Sequence, residues 1–332
     1  MVRIRAKQVR QKIKILDSII QEYKKNNPKK ERDYAKYEHE FKKRLKKAIK
    51  NIDKLISKSI KNFHYRTKNE NKHSLPLAKR MRLILVKELT EKGNRKTANL
   101  LGLFSMLNHA DISYKSVERL YSDDKIRIGM HNLFILTLMK RGIKNIDSCG
   151  DATGYSLSIT KHYSSCVQKL KDKAKEQNDN NKKKSFVYNF ALMDIKTKMY
   201  VCYGASLISE KRAFDKAMQM LQTIDVKLKS IRLDKYYSCP VYVNMFKDSK
   251  VYIIPKKNAE LGNGLKWNAV LTEFVVNTMD YLKEYFKRNN SESGFSSDKK
   301  MFGWKISQKR EDRIDTALFV RAVWRNLLLL YV

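Results

Sequence analysis

Apolar residues recur at two different periods along this chain, and the period changes near residue 143. In the N-terminal part, Phe41, Leu45, Ile49, Ile52, Ile56, Ile60 and Phe63 follow at steps of three and four, the spacing of one helix face. A first helix of the same kind is predicted over roughly 4–24. The segment NNPKK separates the two, because its proline and asparagines favour a break. Two basic amphipathic helices packed as a hairpin are therefore expected. The runs RMRLILVKEL, KTANLLGLFSML and MHNLFILTLMKRG continue the helical pattern. Between the last two lies DISYKSVERLYSDD, where Ser113 can cap a helix whose Val117, Leu120 and Tyr121 face inward while Lys115 and Arg119 face out. A short helix, a tight connection and a second capped helix with exposed basic residues fit a helix-turn-helix that contacts DNA.

After residue 143, NIDSCGDATGYSLS, KSFVYNFALMDIKTK and MYVCYGASLI are rich in β-branched and aromatic residues and read as strands, with DIKTK as a hairpin turn. A helix (KRAFDKAMQMLQTI) and two more strands (VKLKSIRLD, KVYIIPKK) follow. WNAVLTEFVVNTMDYLKEYF then reads as one long helix leading into YFKRNNSESGFSSDKK. Three strands in a meander, then alternating helices and strands, predict an α/β domain on a mixed sheet whose first three strands are antiparallel. The apolar stretch ALFVRAVWRNLLLLYV is interrupted by Arg321 and Arg325 and is too short to span a bilayer, so it reads as a buried helix. Three regions result: a basic helical hairpin over 1–80 for contact with DNA, with a second copy, or with both, a helical region with the possible helix-turn-helix over 81–143, and the α/β domain over 144–332.

Charge narrows the function. Lys and Arg total 71 against 34 Asp and Glu, and 26 of these bases but only 8 of the acids fall within the first 80 residues. High-temperature proteomes enrich Glu together with Lys, so growth temperature alone does not account for the imbalance. A field of this size favours a polyanionic partner, nucleic acid before an anionic membrane surface. Cys149, Cys166, Cys202 and Cys239 form no CxxC pair, which argues against a zinc site or disulfide framework and for a reducing interior. The charged start MVRIRAKQVRQKIKIL is unlike a signal peptide. A soluble protein of the cytoplasm, associated with the nucleoid, is expected.

Against this basic background three acids stand out. Asp151 ends the first predicted strand, Asp234 the fourth, and Glu292 lies on the late helix. Strand ends of open α/β sheets are where sites form. Three clustered carboxylates repel one another unless a cation neutralises them. Mg²⁺ takes such oxygen ligands, and two such ions serve in-line phosphodiester chemistry. Asp147 shares the strand face of Asp151 by alternation, so either can be the first ligand; Asp151 is preferred for its Thr-Gly neighbours. His131 and His162 are read as structural or DNA-facing, and Trp267 as core.

The late segment resembles the Y-(2)-R-(3)-E-(6)-K signature of insertion-sequence DDE transposases, with Tyr285, Arg288, Glu292 and Lys299 at the matching positions. DATGYS resembles the D-x-T-G block around the first catalytic Asp of that family, RLDKYYS the D-x-G-Y-D-S block around the second, IIPKKNA the following I-P-x-K-x-N segment, and AFD the turn before the central helix. The sequence departs from the pattern at Tyr236, where the family has glycine, and at Gly294 inside the helix, where glycine costs about 1 kcal/mol relative to Ala.

The resemblance, over 145 to about 330, implies a ribonuclease-H-like catalytic domain preceded by an all-α basic region. It implies a catalytic and metal-binding triad of Asp151, Asp234 and Glu292, using two Mg²⁺ ions for which Mn²⁺ can substitute. Tyr285, Arg288 and Lys299 would hold DNA phosphates, all four signature side chains sharing one helix face. Double-stranded DNA, as terminal inverted repeats and target, is the implied partner, with a homodimer in the synaptic complex and neither membrane nor small-molecule cofactor. A DNA-binding protein that keeps the fold without chemistry, and a structure-specific nuclease, are the alternatives.

Overall fold

Strand β1 (Asn145–Leu157) is the axis of the fold, because it pairs with three other strands. Its partners are visible in a computed structural model that describes residues 4–28, 33–61, 75–90, 97, 100, 113–157 and 186–332. On one side β1 meets β2 (Phe186–Asp194), which in turn meets β3 (Tyr200–Ser206), both pairings antiparallel. On the other side its first half lies parallel to β4 (Lys227–Arg232) and its last residues parallel to β6 (Lys305–Ile306). β5 (Lys250–Tyr252) lies parallel to β4 and closes that edge. The order β3-β2-β1-β4-β5 is the mixed sheet expected, with its first three strands antiparallel. The DIKTK turn forms as read: the Asp194 carboxylate accepts from Thr197 N at 2.7 Å and Thr197 Oγ1 at 2.6 Å.

Helices cover both faces. In chain order they are α1 (Ala6–Lys14), α2 (Leu16–Asn26), α3 (Tyr34–Ser59), α4 (Leu77–Leu89), α5 (Tyr114–Arg119) and α6 (Asp124–Lys140) before the sheet. After β3 come α7 (Glu210–Gln222), α8 (Pro240–Asn244), α9 (Leu265–Val276), α10 (Thr278–Tyr285), α11 (Asn289–Phe302) and α12 (Glu311–Leu329). Alternation along β2 sends Val187, Ala191 and Met193 into one apolar cluster, with α3, α4, α6 and α12, and Phe190 and Leu192 into another, with α7, α9 and α10. With both faces covered, β2 and β3 can read as nearly continuous apolar runs.

Three expectations change. The chain bends at Ile15, so the first predicted helix is two, and Val9 and Leu16 join the second cluster. α3 instead contributes Ala48, Ile52, Leu55 and Ile56 to the first. The segments expected to pair as a hairpin thus belong to opposite faces of the sheet, drawn apart by two larger apolar surfaces. The long helix breaks at Asn277, where the Thr278 hydroxyl bonds the carbonyls of Phe274 and Val275 at 2.7 and 3.3 Å and competes with the helical pattern.

The predicted buried helix is α12. Its two arginines are core ion pairs: Arg321 Nε lies 3.0 Å from Glu88 Oε2, and Arg325 Nη1 lies 2.7 Å from Asp298 Oδ1. Glu88 also pairs with Lys87 and accepts from the Tyr121 hydroxyl at 2.5 Å. Burial drives the Tyr121 phenol far up, while the surrounding cations bring Glu88 below its ordinary value in spite of burial. Among the described residues no helix is long and apolar enough to cross a membrane.

Candidate active site

The odd-numbered residues of β1 place Asp147, Cys149, Asp151, Thr153 and Tyr155 on one face of the sheet, and α11 packs along that face. Asp151 is held in the strand, its Oδ1 accepting from Ala152 N at 2.9 Å. Asp234 follows β4 and caps the single turn Lys235–Tyr237, accepting from Tyr236 N at 3.3 Å. Glu292 sits in the first turn of α11.

These three acids converge on one cation. Arg288 occupies a single 3₁₀ turn (Phe286–Arg288) between α10 and α11. Its Nη1 lies 3.0 Å from Asp151 Oδ2, and its Nη2 lies 3.7 Å from Asp234 Oδ1 and 2.6 Å from Glu292 Oε1. The Arg288 side chain is 12% exposed, against 17% for Asp151, 40% for Asp234 and 51% for Glu292, so Asp234 and Glu292 form the open rim and the guanidinium lies beneath with Asp151. Burial raises the Asp151 carboxyl to about 6; Arg288 and the Ala152 N–H pull it down, and Asp234 and Glu292 push it further up. Among the described residues no three His, Cys, Asp or Glu side chains are disposed, as they stand, to grip one metal ion. The oxygens are instead drawn onto Arg288.

Asp147 belongs to a different group. It accepts from the Ser230 hydroxyl and lies 4.0 Å from Arg232, a buried side chain that pairs with Glu284 at 2.5 Å. Four residues of strand separate it from Asp151 by about 13 Å. Of the two candidates for the first ligand, the structure brings only Asp151 to Asp234 and Glu292.

The other signature residues spread along the same seam. Tyr285 is 5% exposed and supports Arg288 from below, its ring centre 5.9 Å from the guanidinium carbon. Burial raises its phenol to about 12. Lys299 donates to Thr153 Oγ1 at 2.6 Å and lies over the rings of Tyr155 and Trp304 at 5.2 and 4.7 Å. Sequence reasoning misses Thr153 and the exposed Trp304, although alternation from Asp151 along β1 leads to Thr153. Burial pulls the Lys299 amine down. The 3₁₀ turn at 286–288 means that the four signature residues do not share one continuous α-helix.

Gly294 has a packing role. A Cβ there would meet Met193 Cε at 2.3 Å and Arg325 Nη2 at 3.0 Å, and Arg325 donates to the Gly294 carbonyl at 3.1 Å. The glycine lets α11 pack closely on the sheet, on the face of β1 that carries Asp151, whereas Glu292 reaches Arg288 locally, four residues along the chain.

Elsewhere, Ser113 caps α5 by accepting from Ser116 N at 3.2 Å; Val117, Leu120 and Tyr121 are buried, and Lys115 and Arg119 are exposed. The following helix, α6, is core, with Ile126, Met130, Leu133 and Phe134 buried. The helix read over KTANLLGLFSML, His162 and Cys166 lie outside the described residues, apart from Thr97 and Leu100. His131 is half-buried, lowered by burial, and lines a cavity of about 520 Å³ beside β3 that none of the three acids touches. Trp267 is core, its indole donating to Glu260 O at 2.7 Å. Cys149, Cys202 and Cys239 are free thiols.

No protein-family profile matches the chain, and no solved structure does. A protein of Archaeoglobus fulgidus described as a probable transposase for insertion sequence element ISA1214 is 41% identical over 328 residues, covering 98% of this chain and 96% of the relative. At that identity over nearly the whole length the two share a fold. The chain belongs to the same family of insertion-sequence transposases.

Proposed function

We propose that this protein is a DNA transposase that recognises the terminal inverted repeats of its insertion sequence and cuts and joins DNA with divalent cations held by Asp151, Asp234 and Glu292. The observation that carries the reading is the convergence of these three carboxylates, from β1, the end of β4 and α11, on one cationic centre. The strand order supports assigning 144–332 to a ribonuclease-H-like domain.

Carboxylate oxygens are the donors a hard divalent cation takes, and this set already draws positive charge to one point. Mg²⁺ or Mn²⁺ bound there would activate the attacking oxygen and stabilise the leaving one. The chain's own part is positioning. Asp151 is locked into the sheet and Asp234 is braced on its own turn, while the exposed Glu292 side chain can adjust to what binds. Arg288 and Lys299 offer cations for the DNA backbone beside the reacting bond. The exposed lysines of α3, with Lys115 and Arg119 of α5, supply further phosphate contacts. Pairing two element ends calls for two copies of the chain.

Purified protein incubated with DNA from either side of its gene tests this. Strand cleavage is expected with Mg²⁺ or Mn²⁺, binding without cleavage with Ca²⁺, and no cleavage in EDTA. Undiminished cutting in excess EDTA would overturn the reading.

A further inference from the structure

The cationic centre between the three acids is an arginine, and that has a consequence for how the site is filled. Resting on the reading above, we infer that Arg288 is an exchangeable internal counter-ion. In the free protein it neutralises Asp151, Asp234 and Glu292; when DNA arrives it transfers to a backbone phosphate and releases the carboxylates to a divalent cation. Metal binding is then contingent on DNA.

Three observations support this. First, the guanidinium lies on the same oxygens a metal would use, at 2.6 to 3.7 Å. Two positive groups cannot occupy that space together without strong repulsion, so one must leave before the other enters. Second, the arginine is incompletely satisfied. Its Nε is buried and has no acceptor, although buried donors are nearly always paired. A phosphate matches the planar fork of a guanidinium and would give that donor a partner. Third, Arg288 ends a single 3₁₀ turn between two helices, and two of the carboxylates it would release, Asp234 and Glu292, are on the exposed rim, open to an incoming cation. Tyr285 beneath it and the Arg232–Glu284 pair behind α10 fix the base from which the side chain swings.

Coupling of this kind is reciprocal: DNA must tighten metal binding by the factor by which metal tightens DNA binding. The test measures Mn²⁺ affinity by the paramagnetic resonance of free Mn²⁺. It uses the full chain alone and with a duplex from the gene's flank, in wild type, Arg288→Ala, Arg288→Lys and Glu292→Gln, each checked for folding by its thermal transition. Free wild type is expected to bind Mn²⁺ weakly, with DNA tightening it about tenfold or more. Arg288→Ala is expected to bind Mn²⁺ tightly without DNA, and Arg288→Lys, which keeps a cation in place, to bind like wild type. Duplex affinity in Ca²⁺ against EDTA should shift in the same direction for wild type. If Arg288→Ala and wild type bind Mn²⁺ equally without DNA, and Glu292→Gln abolishes the binding, the counter-ion role is wrong and the metal site stands. If no form binds Mn²⁺ with or without DNA, the metal reading itself fails, and this inference with it.

Discussion

Arg325 on α12 holds Asp298 Oδ1 at 2.7 Å and the Gly294 carbonyl at 3.1 Å, so one buried guanidinium ties together two turns of the helix that carries Glu292. The Tyr200 hydroxyl donates to the other oxygen of Asp298 at 2.6 Å and joins β3 to the same knot. The helix that carries Glu292 is therefore anchored to both α12 and the sheet.

Arg325→Ala is expected to lower stability by about 3–5 kcal/mol, because it leaves the Asp298 carboxylate buried without its charge partner. Urea denaturation followed by circular dichroism measures this; a loss below about 1 kcal/mol would mean that the pair does not hold the helix.

Gly294→Ala sets two effects against each other. On a free helix surface the change would stabilise by about 1 kcal/mol. Here the new methyl meets Met193 and Arg325, so a net loss of about 1–3 kcal/mol is expected from overpacking. A more stable variant would show that α11 has room to shift.

Among the acids, Glu292→Gln, Asp234→Asn and Asp151→Asn are expected to lose cleavage by orders of magnitude while keeping DNA binding. Asp147→Asn should cut within a few-fold of wild type, since its carboxylate sits with Ser230 and Arg232 away from the three. Gel-based cleavage and mobility-shift assays on the same duplex separate the outcomes, and a dead Asp147→Asn would reassign the first ligand.

Asp151 also gives a stability signature in metal-free buffer. Its carboxyl titrates near 6 in the folded protein against an ordinary 3.8. The folded state holds the proton longer, so stability from this group falls as pH rises from about 4 to about 6. Asp151→Asn removes that loss and is expected to be more stable than wild type at pH 7 by about 2–3 kcal/mol, with little difference at pH 4. Paired urea titrations at the two pH values check it; equal stabilities at pH 7 would contradict the burial of that charge.

The first three helices contribute core residues to both clusters, so deleting residues 1–80 is expected to unfold the protein and cannot report on DNA binding. Replacing the exposed Lys43, Lys47, Lys50 and Lys54 of α3 with Gln spares Ala48, Ile52, Leu55 and Ile56. For every phosphate no longer neutralised, the salt slope of DNA binding should fall by about 0.9, read by fluorescence anisotropy across a salt series. An unchanged slope would place the interface elsewhere.

Much of this was legible in the sequence, for identifiable reasons. Alternation and β-branched content marked β1 to β3, and the spacing of Asp151, Asp234 and Glu292 along that pattern located the acids that meet. The partner of Asp147 was not legible, because Ser230 lies on another strand and only the register of β1 on β4 brings the two together. The split of the N-terminal helices between two faces was hidden because their apolar faces look alike and either cluster could take them. Arg321 and Arg325 read as interruptions of an apolar run, since a charge in the core makes sense only once Glu88 and Asp298 are seen. Gly294 read as a defect for the same reason: its cost is local, and its compensation comes from the sheet and α12.

The ion pair between Arg288 and Asp151 joins residues 137 positions apart, and the Ser148–Ser230 bond between β1 and β4 spans 82. Pairings this distant in sequence close late in folding, whereas the basic helices α1 to α3 are assembled from neighbouring residues. The three acids therefore meet only once the sheet has closed, so a truncation that removes β1, β4 or α11 disperses the whole cluster at once.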